Sequence, residues 1–279
     1  FIGVTCRAAR GSQAENRIGW KNSKRIEHRQ GSAEKAIRRR ELCGTSRQRD
    51  KPCYPSPSQP SAPRYAMSKS PDPTRDELFA EPLTQPELFT FSESVAGVFP
   101  DMINRSVPGY ATVVAMTGVL AAQHARPDST IYDLGCSWGA SLLSAARKID
   151  YPSCQLIGID NSEAMLKRAR LNFQEQLSDQ RVVLQASDIM DTQLENASVV
   201  ILNYTLQFVP IKHRETLLKR IRSAMQLGDV LILSEKLTLP DPQLNDYLIE
   251  LHHNFKRQQG YSDLEIAQKR QALEDVLIP

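Results

Sequence analysis

Ser129-Thr-Ile-Tyr-Asp-Leu-Gly-Cys-Ser-Trp-Gly139 is the stretch whose reading decides the fold. Ser129–Leu134 is apolar and β-branched enough to be a buried strand. Gly135 permits a tight turn with close backbone approach, and Gly139 lets a helix begin against the sheet. Ala140–Ile149 reads as that helix. Outward from it, Ile103 to Ala125 reads as a helix interrupted near Pro108-Gly109. Gln155–Ile159 is a second strand, followed by an amphipathic helix over Ser162–Gln176 with Ala164, Leu166, Ala169 and Phe173 inward. Arg181–Gln185, Val199–Tyr204 and Val230–Glu235 are further strands. His213–Met225, closed by Gly228, Leu244–Arg257 and Asp263–Leu277 are further helices. Short apolar strands separated by helices predict an α/β fold, a doubly wound, mostly parallel sheet covered on both faces.

The ends and the charge set this domain apart. The chain has 279 residues, with 35 Lys/Arg against 32 Asp/Glu. Residues 1–66 hold 15 Lys/Arg against 5 Asp/Glu, a net of +10, and residues 67–279 hold 20 against 27, a net of −7. The first 66 residues lack hydrophobic periodicity and close on the proline-rich Lys51–Pro63. They are expected to be disordered and non-native, upstream sequence translated ahead of a start at Met67, rather than a basic RNA-binding arm or a transit peptide. Residues 67–279 are expected to form one α/β domain, its sheet incomplete after Pro279. No run of roughly 18 apolar residues exists, which excludes a single membrane-spanning helix. Cys6, Cys43, Cys53, Cys136 and Cys154 are odd in number and unpatterned. They suggest neither a disulfide framework nor a zinc site, and fit a reducing cytoplasm.

In open α/β sheets the residues after each strand line the ligand crevice. The loop after the first strand has Ser137 where a dinucleotide fingerprint has its middle glycine. Asp133-x-Gly135-x-x-x-Gly139 matches instead the first motif of class I S-adenosylmethionine (SAM)-dependent enzymes. Asp160 ends the second strand, where a carboxylate can accept both hydroxyls of a ribose. Asp188-Ile189 follows the third, where a side chain and a backbone N–H can read an adenine edge. Asn203 ends the fourth. Each has a plainer reading: Asp160 as a helix cap, Asp188 as a turn residue, Asn203 as an edge polar group. Four such residues after four consecutive strands favour a SAM site. His252-His253 are adjacent on a helix and point in different directions, so packing explains them better than metal binding.

Beyond these positions, Phe99–Tyr110, Tyr132–Ser137, Ile159–Ser162, Leu202–Phe208, Leu233–Lys236, His252–Arg257 and Gly260–Arg270 together resemble the carboxy-S-adenosyl-L-methionine synthases. The resemblance runs from about Asp76 to Leu277. Trp138 departs from it, standing where an aliphatic residue is expected, and the family's C-terminal antiparallel strands are absent. It implies a class I SAM-dependent, Rossmann-like fold. The implied reaction takes a carboxyl group from prephenate to the SAM methyl carbon, giving carboxy-SAM and phenylpyruvate for tRNA wobble-uridine modification. It implies a cytoplasmic homodimer with SAM as substrate and no metal. The product passes to a separate tRNA carboxymethyltransferase, so no direct nucleic-acid or membrane contact is required.

The resemblance also implies roles. Tyr110 closes over SAM. Gly135, Cys136 and Ser137 line the methionine part, Asp160 and Asn161 the ribose, and Asp188 and Ile189 the adenine. Asn203 sits beside the sulfonium, and Arg270 pairs with the new carboxylate. Without the resemblance, Tyr110 would pass for a core residue and Arg270 for a solvated one. The rival functions are an ordinary SAM-dependent methyltransferase acting on a small molecule or tRNA, and a SAM-binding module without chemistry.

Overall fold

The computed structural model describes residues 2–8, 74–177 and 181–279. Its elements are β1 (Ile2–Ala8), α1 (Glu93–Ser106), α2 (Tyr110–His124), β2 (Thr130–Leu134), α3 (Ala140–Ala146), β3 (Gln155–Asp160), α4 (Glu163–Gln176), β4 (Val182–Ala186), β5 (Ala197–Asn203), α5 (Ile211–Ala224), β6 (Met225–Lys236), α6 (Pro242–Gln258) and α7 (Asp263–Leu273). The sheet order is β1-β6-β5-β2-β3-β4. All pairings from β6 to β4 are parallel; β1 runs antiparallel to β6. From β2 the chain passes to β3 on one side and later to β5 on the other. Strand order therefore reverses between β2 and β5, the place where open α/β sheets bind ligands.

Alternation along the central strands explains why they read as continuous apolar runs. Ile131, Val199 and Ile201 pack with Ala121 of α2, Leu142 of α3 and Phe173 of α4. Tyr132, Leu134, Val200 and Leu202 pack on the other face with Leu217 and Ile221 of α5. Successive side chains point to opposite faces, and here both faces are covered. A third cluster joins Val95, Ala96, Val98 and Met102 of α1 to Phe89, Met165 and Ala272. Among the described residues, no helix is long and apolar enough to cross a membrane.

Several elements differ from the sequence reading. The helix expected from Ile103 is two helices, and the first begins at Glu93, capped by Ser92. Pro100 lies inside α1. Proline normally ends a helix because it lacks the N–H, but burial of the residues on both sides of it outweighs that here. Met165 is fully buried in α4, where the expected inward residue Ala164 is only partly covered. β6 begins at Met225 and runs through Gly228, which was expected to close a helix; the pairing with β5 shifts register beside it. α7 ends at Leu273 rather than Leu277. The expected disorder of residues 1–66 does not extend to Ile2–Ala8. That segment is β-branched at Ile2, Val4 and Thr5, and it occupies the outer edge of β6, whose N–H and C=O groups would otherwise lack strand partners. Residues 9–66 lie outside the described residues.

Gly139 shows how sequence and packing meet. Its φ is 77°, and a Cβ there would sit 2.5 Å from the Phe173 ring of α4. Gly139→Ala should cost about 2–3 kcal/mol, combining left-handed backbone strain with overpacking. Urea unfolding measures it. Stability equal to the parent would mean that the ring moves aside freely.

Candidate functional site

The loop after β2 is anchored to the end of β3. The N–H groups of Gly135 and Cys136 both donate to the Ile159 carbonyl, at 2.8 and 3.0 Å. The Ser137 N–H donates to Asp160 Oδ2 at 2.8 Å, and Asp160 Oδ1 accepts from the Ser162 N–H at 2.9 Å. Gly135 (φ 77°) and Ser137 (φ 51°) are left-handed. At Gly135 a Cβ would lie 2.5 Å from the Thr205 side chain, so only glycine fits without displacing the loop after β5. Asp160 does not cap α4. Ser162 does, its Oγ accepting from the Met165 N–H.

The other expected residues surround the same space. Asp188 is exposed just after β4, with Oδ1 accepting from the Met190 N–H at 2.7 Å, so it does serve as a turn residue. The Asn203 carboxamide donates to Thr117 Oγ1 at 3.0 Å and to Ser141 Oγ at 2.9 Å; its Oδ1 is buried without a partner among the described residues. Tyr110, the first residue of α2, sets its ring 6.0 Å from that of Tyr204. Cys136 is buried, and desolvation together with the Asp133 and Asp160 carboxylates raises its thiol well above the ordinary value. It stays protonated and serves the loop, not as a nucleophile. Trp138 donates from Nε1 to the Ala96 carbonyl at 3.0 Å, which ties α1 to the loop.

One cavity of about 1450 Å³ is lined by Tyr110, Gly135, Cys136, Ser137, Asp160, Asn161, Asp188, Ile189, Asn203 and Arg270. All ten residues expected at the site thus meet in one space. Its size exceeds the roughly 300–1000 Å³ of an ordinary small-molecule pocket, which leaves room for two molecules. The cavity is also polarised. Asp133, Asp160 and Asp188 lie at the ends of β2, β3 and β4, while Lys236, Lys256 and Arg270 come from β6, α6 and α7. Arg270 is exposed rather than enclosed.

Two residues carry no ligand role in the sequence reading: Asp133, named there only as the first residue of the glycine motif, and Glu235, which stands behind the cavity wall. Asp133 is almost fully buried, and its Oδ2 has no partner among the described residues. Burial, reinforced by Asp160, pushes its carboxyl up to about 7 against the Leu142 N–H, which favours the charged form. Glu235 accepts from the N–H groups of Thr205, Leu206 and Gln207 and so shapes the loop after β5. Its burial likewise raises the carboxyl, with those three N–H groups opposing. The available signal was position: each is a carboxylate at the carboxyl end of a strand. His252 donates from Nε2 to the Ser106 carbonyl at 2.7 Å, and burial pushes it down to about 4, so it is a neutral packing residue. No group of three or more His, Cys, Asp or Glu among the described residues could hold a metal ion.

A raised carboxyl holds its proton more tightly in the folded state. Its contribution is fully present below the ordinary carboxylate pKa of about 4 and is lost as pH rises through about 7. The lowered His252 gives the opposite slope, and comparison with a variant cancels it. Wild-type protein should therefore lose stability relative to Asp133→Asn between pH 5 and pH 7.5, as read from urea midpoints. A constant difference would mean that Asp133 is ionised throughout.

A family model described as a methyltransferase domain matches residues 131–228. The chain is 50% identical over 204 residues to the carboxy-S-adenosyl-L-methionine synthase of Aliivibrio fischeri, covering 73% of this chain and 84% of that one. It is likewise 50% identical to the protein of that name from Actinobacillus succinogenes, with 73% and 85% covered. Against the one from Vibrio cholerae it is 49% identical, with 74% and 83% covered. Among solved structures it overlaps mitomycin 7-O-methyltransferase with a TM-score of 0.41 and 16% identity, covering 57% of this chain and 44% of that one, too loose an overlap to add to the argument.

Proposed function

The chain belongs to the carboxy-S-adenosyl-L-methionine synthases, and from that membership we propose that it takes the carboxyl group from prephenate and sets it on the methyl carbon of SAM. In this reading prephenate loses its ring carboxylate as CO2 and its ring hydroxyl as hydroxide, and the ring becomes aromatic as phenylpyruvate. The hydroxide takes a proton from the SAM methyl group, giving water and a sulfonium ylide. The ylide carbon then attacks the CO2. The adjacent positive sulfur makes that C–H acidic, so the protein's own tasks are to position the reactants, exclude water and bind charge.

The supporting observation is the cation Arg270, which lines the same cavity as the glycine loop. A methyl donor has no use for a second positive charge near its sulfonium unless an anion lies between them. The carboxylated methyl is such an anion, and the planar guanidinium fork suits it. The methionine part then rests on Gly135, Cys136 and Ser137, with the orphaned Asp133 oxygen toward its amino group. Asp160 and Asn161 take the ribose, Asp188 and Ile189 the adenine, Asn203 the sulfonium side, and Tyr110 closes the site. A homodimer fits the exposed Leu244, Tyr247 and Leu251 stripe on α6, and a cytoplasmic setting fits the odd, unpatterned cysteines. The net −7 of residues 67–279 fits a product handed to a separate tRNA carboxymethyltransferase rather than direct RNA contact. All ten site residues fall within 67–279, so a chain starting at Met67 is expected to keep its SAM affinity.

Incubation with SAM, with and without prephenate, followed by mass analysis, should give a nucleotide heavier by one CO2 only when prephenate is present. S-adenosylhomocysteine formed with an added acceptor would support ordinary methyl transfer instead. In calorimetry Arg270→Ala should weaken carboxy-SAM by about 10- to 100-fold, the worth of hydrogen bonds to a charged group, and leave SAM nearly unaffected. Equal weakening of both ligands would make Arg270 structural.

A further inference from the structure

Two further cations stand at the basic end of the cavity with no task in the reading above. Lys236 is the last residue of β6, and Lys256 lies in the last turn of α6. Both line the cavity with Arg270. Among the described residues, neither ammonium has a hydrogen-bond acceptor or an ion-pair partner. Their neighbour Lys269 differs: it donates to Asp76 Oδ2 at 3.1 Å and to Ser106 Oγ at 3.3 Å. The cavity's acidic residues Asp133, Asp160 and Asp188 belong to the opposite end, and Glu274, beyond α7, makes no ion pair among the described residues. Burial pushes Lys256 down to about 8, with repulsion from Lys269 and Lys236 adding to it and Asp76 opposing. Lys236 is also lowered, by burial and then by Arg270. Cations so arranged gain from an anion placed between them.

We propose that Lys236 and Lys256 bind the carboxylate that the carboxyl donor keeps, leaving Arg270 to the carboxylate that is transferred. This rests on the reading of the site given above. The donor is a dianion. Its ring carboxylate leaves as CO2, whereas the carboxylate of its three-carbon side chain remains on the product. One guanidinium cannot hold both groups. Holding the retained one apart fixes which carboxylate faces the methyl carbon, so that CO2 is released beside the ylide that captures it. Two lysines suit a donor that changes shape as its ring flattens, because each is a point charge on a flexible stem.

Lys236→Met and Lys256→Met remove the charge and keep most of the volume. Each should raise the KM for prephenate at saturating SAM by tenfold or more. Each should leave the calorimetric affinities for SAM and carboxy-SAM within twofold, and those affinities also report an intact fold. Inhibition by phenylpyruvate, which carries only the retained carboxylate, should weaken in parallel, and Lys256→Arg should recover part of the loss. An unchanged KM and unchanged phenylpyruvate inhibition in both variants would overturn the proposal. So would weakened carboxy-SAM binding, which would put the lysines on the same carboxylate as Arg270. If the wild-type protein makes no carboxy-SAM from prephenate, the assignment of the donor fails first, and this subsite with it.

Discussion

Both oxygens of the Asp160 carboxylate are committed to backbone N–H groups, one from Ser137 and one from Ser162. That single group fastens the loop after β2 to the turn after β3. A carboxylate accepting backbone N–H groups makes strong hydrogen bonds, and the loop needs them. Gly135, Ser137 and Gly139 all have positive φ, which the chain would not hold unaided. Glu235 performs the same service on the other side of β2, gathering the N–H groups of Thr205, Leu206 and Gln207. Thr205 in turn bears on Gly135. The floor of the cavity is thus held from both flanks by buried carboxylates that lie outside any regular ladder.

The far wall has a separate anchor. Asp76 accepts from the Tyr261 hydroxyl and from Lys269, while its own N–H donates to Asp101, which also pairs with Arg105 of α1. Arg105 stacks over the Tyr261 ring at 3.9 Å. This network ties the segment before α1 to Tyr261, just ahead of α7, and to Lys269 within α7, one residue from Arg270. Removing one member of such a group would leave a buried charge without its partner, the costly case for ion pairs. The position of Arg270 is therefore set by residues that never reach the cavity floor.

How much of this was legible in the sequence depended on how local each cause was. The five parallel strands and their order of appearance followed from short apolar runs. The glycine loop followed from spacing alone. Asp160, Asp188 and Asn203 could be placed because a parallel sheet brings all its strand ends to one side. Arg270 could not. Its helix reads as solvated, and only the resemblance drew it into the site. The start of α1 was hidden by Pro100, because local propensity speaks against a helix that tertiary burial supports. Asp133 reads only as the first residue of the glycine motif and Glu235 as an ordinary strand-end carboxylate; what distinguishes them, an orphaned oxygen in one and three gathered N–H groups in the other, exists only after folding.

The antiparallel strand β1 carries a consequence of a different kind. Ile2 lies opposite Lys236, so the pairing closes a loop made of nearly the whole chain. The entropy of closing a loop grows with its length, and contacts of such long range form late. The parallel sheet can assemble before β1 arrives, and in that interval the rim of β6 is an open template. Any extended segment with matching donors and acceptors can compete for it, including Ile2–Ala8 of a second molecule, since an intermolecular copy makes the same hydrogen bonds without closing that loop. The topology thus leaves strand exchange between chains open, and any such exchange would rise with protein concentration during folding.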